Sequence, residues 1–117
     1  MLARYIVIAI YGLDAFFGKD AIYLVYDIKN NCVCNYFESD SEAFLCCDEL
    51  NKKDLHCHIL IEAMATYNDN KVEISSPYIK KKNNIIVVIS EYLQITIEKL
   101  IFDNGLPKEP PLKLNIT

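Results

Sequence analysis

The sequence predicts an α+β domain: a mainly antiparallel sheet of about five strands, with its helices packed on one face in two layers. Three observations lead there. Short β-branched and apolar runs are separated by tight-turn signals, which favours hairpins. A largely apolar stripe near the C-terminus has the spacing of one long helix. The chain of 117 residues is 52% hydrophobic with 3 Gly and 4 Pro, enough apolar area for one core and too little Gly and Pro for a linker or fibrous protein. Residues 1–107 are accordingly one domain, and 108–117, with two adjacent prolines, an extended tail.

Residues 4–11 are β-branched and aromatic, nearly continuous in apolar character and short for a helix, so they predict a central strand covered on both faces. The basic residue ahead of this run gives it the outline of a secretory signal, but Gly12 and Asp14 interrupt it and a membrane span needs about 20 residues. Residues 12–20 read as a turn whose apolar tip, Phe16-Phe17, lies between two glycines. Residues 21–28 and 32–37 predict a hairpin around Lys29-Asn30-Asn31, asparagine being a residue that tolerates positive φ.

Ser39 and Glu42 have capping-box spacing ahead of a helix over 40–51, whose Ala43, Phe44, Cys46, Cys47 and Leu50 crowd one side. Residues 54–67 fit both periods loosely; the helix propensity of Glu62-Ala63-Met64-Ala65 favours a helix. Residues 71–76 predict a strand before Pro77, and 85–89 a last, internal strand after a turn at 82–84. Ile89, Tyr92, Leu93, Thr96, Ile97, Leu100 and Ile101 then stand at i, i+3, i+4, i+7, i+8, i+11 and i+12, one stripe of a helix capped by Ser90 and ended by Gly105 and Pro107. The predicted order is βββααββα.

Sixteen acidic and twelve basic side chains leave a net charge of −4 and a pI near 5.1. Such a chain has no broad positive field to hold a phosphate backbone, which argues against a general nucleic-acid binder. The balance is uneven, with net −6 over residues 1–70 and net +2 over 71–117. Five cysteines cannot all pair within one chain, and a core this apolar needs no disulfide staples, so reduced thiols and a cytoplasmic location follow. Sixteen Ile, ten Asn and eleven Lys to one Arg fit an AT-rich coding sequence, as in viruses, phages and low-GC bacteria.

Candidate chemistry is sparse. Cys32 and Cys34 share a strand face, and His56 and His58 would share another if extended, which are the donor types of a tetrahedral zinc site. Their spacing matches no ribbon or finger, so they are assigned to core and surface positions, with no metal or cofactor. Cys57, between the histidines, would need a base on its own strand face to act as a nucleophile, and its neighbours point away. Asp14, Asp20, Asp27 and Glu73 are strand-end carboxylates of the type used in metal-assisted phosphoryl chemistry, and a metal-dependent nuclease using Asp20, Asp27 and Glu73 is the alternative function. A nucleotide pocket near the lysine run is its variant. Glycines at 12, 18 and 105 are too far apart for a phosphate-binding loop.

Two surfaces remain. The basic run Lys80, Lys81 and Lys82 is a hairpin tip or an anion-contacting patch. Phe16 and Phe17 either fold back onto the core or anchor a partner. The expected function is therefore non-enzymatic: a small protein of viral or mobile-element origin that binds another protein and inhibits or modulates a host or defence factor. The high apolar content also allows a homodimer.

Overall fold

The structure, a computed structural model, describes residues 4–52, 60–68, 71–77, 79 and 84–104. Its centre is β1 (Tyr5–Tyr11), buried on both faces from Ile6 to Ile10. Beside it lie β2 (Ala21–Asp27) and β4 (Leu60–Asn68), with β3 (Cys32–Phe37) and β5 (Lys71–Ser75) at the edges, in the order β3-β2-β1-β4-β5. The β1–β2, β2–β3 and β4–β5 pairs are antiparallel, whereas β1 and β4 run parallel. The sheet is thus mixed, not mainly antiparallel as the sequence predicts. Between β3 and β4 the chain passes through α2 (Asp40–Leu50), and a crossover of that kind is what parallel pairing requires.

The alternation of β1 assigns the two faces. Ile6, Ile8 and Ile10, with Tyr26, Leu24 and Ile22 opposite them on β2, share one cluster with Ile89, Leu93 and Ile97 of α3 (Asn84–Asn104). Val7 and Val25 face the other way, against Ala43 and Cys47 of α2. The two helices therefore cover opposite faces, where the sequence predicts both on one. A strand that is apolar at every position needs a cover on each side. Asn51, just past α2, fastens that helix to β1: its amide accepts from Tyr5 N at 3.1 Å and donates to Tyr5 O at 3.0 Å.

Two segments change type. Leu60–Asn68 is a strand where a helix is predicted over 54–67, because Ala63, Ala65 and Tyr67 are buried in alternation while Glu62 is exposed. Pairing on both sides overrides the helix propensity of Glu62-Ala63-Met64-Ala65. Residues 85–89, predicted as a strand, are the first turns of α3, since Ile85, Ile89, Leu93 and Ile97 extend one i, i+4 stripe. The observed order is β1-α1-β2-β3-α2-β4-β5-α3, with a single helical turn, α1 (Asp14–Phe17), in the expected 12–20 loop.

Elsewhere the local predictions hold in part: Ser90, predicted to cap the last helix, lies inside α3, whose first turns are residues 84–89. Asn31 takes φ 52° in the β2–β3 turn. Ser39 occupies the N-cap of α2, although its hydroxyl bonds that of Ser41 at 2.8 Å instead of the helix backbone. Gly12 has φ 95°, and a Cβ there would lie 2.2 Å from Ala65 O, so only glycine lets β1 turn so close to β4.

Candidate protein-binding surface

The core stripe of α3 leaves its opposite side to solvent, and that side is not uniformly polar. Val87, Ile95 and Phe102 are 53%, 67% and 88% exposed. At i, i+8 and i+15 they fall within one arc of about 80° at 100° per residue. Single exposed apolar residues are ordinary, but three on one arc of one helix form a contiguous feature. Beside them Lys71, Val72, Ser90, Glu91, Gln94, Ile95 and Glu98 line a groove of about 460 Å³ between α3 and β5. Gln94 builds its wall, accepting from Val72 N at 2.9 Å and donating to Glu98 Oε1 at 2.8 Å. Satisfying an outward N–H of an edge strand in this way fixes the helix against the sheet. An apolar floor with Glu91 and Glu98 on its rim suits a segment that carries apolar side chains between cationic ones.

The predicted anchor residues lie elsewhere. Phe16 and Phe17, on α1, are half-buried against the core on the α3 side of the sheet. Phe16 sits 5.3 Å from the ring of Tyr67, and Phe17 meets Tyr36 edge-on at 5.9 Å. Both rings thus face inward over the sheet and keep part of their surface in solvent. Lys80, Lys81 and Lys82, together with His56, Cys57 and His58, fall outside the described residues. Sequence reasoning missed Ile95 and Phe102 because the core stripe accounted for α3. The signal was present in a second apolar row, Val87, Ile95 and Phe102 at i, i+8 and i+15, off that stripe.

The carboxylates of the alternative function are not brought together. Asp20 and Asp27 bracket β2, roughly 20 Å apart at about 3.3 Å per residue, and Glu73 is on β5, three strands away from β2. Asp27 is 3% exposed and committed to structure. Its Oδ1 accepts from Arg4 Nε at 3.0 Å, Lys29 N at 3.0 Å and Asn30 N at 3.2 Å, and its Oδ2 accepts from Arg4 Nη2 at 3.0 Å. The Arg4 guanidinium, seconded by the backbone amides, holds this carboxyl below its usual range. Next to it the Tyr26 hydroxyl donates to Asn31 Oδ1. Cys32 and Cys34, both exposed, place their sulfurs near this carboxylate, the three ligand atoms lying within 4.8 Å of one another. Burial, then the neighbouring Cys32 and Asp27, push the Cys34 thiol up.

On the other face, burial and the adjacent Glu62 raise the pKa of the Tyr11 hydroxyl, beside a smaller cavity of about 280 Å³ that includes Met64 and Pro77. No helix among the described residues is long and apolar enough to cross a membrane. Comparison with protein-family models, curated proteins and solved structures finds no match.

Proposed function

We propose that this chain acts by binding another protein, through the outer face of α3 and the groove between α3 and β5. The observation that carries the proposal is the exposure of Val87, Ile95 and Phe102 on one arc of a helix whose other side is fully committed to the core. Large apolar side chains at the centre of a surface supply most of the binding energy in protein interfaces. The partner fitting this surface presents an amphipathic segment with apolar anchors and flanking Lys or Arg, complementary to Glu91 and Glu98. The finer reading is that a protein of viral or mobile-element origin uses this surface to inhibit or modulate a host or defence factor. The amino-acid composition, rich in Ile, Asn and Lys as AT-rich coding sequences are, supports it. Ile95→Asp and Phe102→Asp are expected to weaken capture of the partner at least tenfold while leaving the melting temperature within about 2 °C of the parent. Unchanged capture by both variants would refute this surface.

A further inference from the structure

We propose that Asp27, Cys32 and Cys34 form a binding site for a thiophilic divalent cation of the zinc type. The hairpin builds it from backbone register. Cys32 is directly opposite Asp27, and the bulge that pairs Tyr26 with Val33 but Val25 with Asn35 leaves Cys34 as the extra residue on β3. Two thiols on the exposed edge strand β3 and one carboxylate oxygen from the end of β2 consequently lie within 4.8 Å of one another.

Tetrahedral ligation at about 2.3 Å per sulfur sets neighbouring ligands about 3.7 Å apart. Inward rotation of two exposed thiols, by about 1 Å at most, closes the set. The carboxylate is already oriented. Arg4 and the amides of Lys29 and Asn30 hold Asp27, and its Oδ2 accepts only from Arg4 Nη2 among the described residues, which leaves a lone pair for a cation. Charge also balances: two thiolates and a carboxylate, with Arg4 beside them, carry net −2, matching a divalent ion. Soft thiolate donors select zinc-type cations over magnesium or calcium. Binding releases the two thiol protons, so affinity rises with pH. A water completes the fourth position.

The test is titration of the reduced, full-length protein with Co²⁺ and Cd²⁺, read by thiolate-to-metal charge-transfer absorption. One equivalent is expected to saturate the band. Cys32→Ser and Cys34→Ser should each abolish it, while Cys46→Ser leaves it intact; thermal melts of the two exposed-site variants check that they fold. Asp27→Asn should weaken the apparent affinity about tenfold or more. Absence of the band in the parent protein, or its persistence in the Cys32→Ser/Cys34→Ser double variant, overturns the proposal.

Discussion

Asp27 shows how one side chain can serve several levels of structure. It ends β2, closes the turn to β3 by accepting from two backbone amides, and ties the turn to the chain ahead of β1 through Arg4. From sequence it is one more acid before a hairpin turn, and solvation is the ordinary fate of such a residue; its burial follows from Arg4, 23 positions away, which no local pattern reveals. Asp27→Ala should destabilise the fold by about 1–3 kcal/mol in denaturant titrations, chiefly through the unpaired amides. Because the folded carboxyl titrates below its unfolded value of about 3.9, the stabilisation is complete above that value. It is lost as the pH falls through the folded value. Asp27→Asn should accordingly flatten the acid limb of a plot of melting temperature against pH, and an unchanged limb would show that other carboxylates set it.

At the scale of elements, the two faces of α3 make opposite predictions. Leu93 is fully buried, and Leu93→Ala should cost about 2–5 kcal/mol through lost burial and the cavity left behind. Ile95→Ala, two positions on and 67% exposed, should change stability by no more than about 0.5 kcal/mol. Chemical denaturation of the pair measures both. For α1, Phe16→Ala and Phe17→Ala should each destabilise by about 1–3 kcal/mol, since each ring loses an aromatic partner and part of its burial. A loss below about 0.5 kcal/mol would return both rings to the list of partner anchors. The elements legible in the sequence were those with one dominant signal: the apolar run of β1, the β2–β3 turn, the stripe of α3. The two misassigned segments carried two signals each. In 60–68 the odd-numbered alternation Ile61, Ala63, Ala65, Tyr67 competed with a helix-forming Glu-Ala-Met-Ala, and in 85–89 a β-branched run hid the continuation of a helical stripe.

For the whole molecule, topology was the least legible quantity. Strand count survives the two misassignments because they offset one another, but parallel pairing of β1 with β4 depends on where α2 sends the chain. The same crossover puts α2 on one face and α3 on the other, so the outer side of α3 becomes an outer surface of the molecule. Of the candidate site, the aromatic loop drew attention because two adjacent phenylalanines stand out locally. Ile95 and Phe102 stand out only once the buried side of α3 is known. The measurement that bears most directly on a protein-binding role is photo-crosslinking in the natural host, with a photoreactive residue placed at Ile95, at Phe102 and, as a control, at Glu42 on the α2 side. A discrete adduct to the same partner protein is expected from Ile95 and Phe102, and none from Glu42. Adducts that are equal at all three positions, or absent from both α3 positions, would contradict that role.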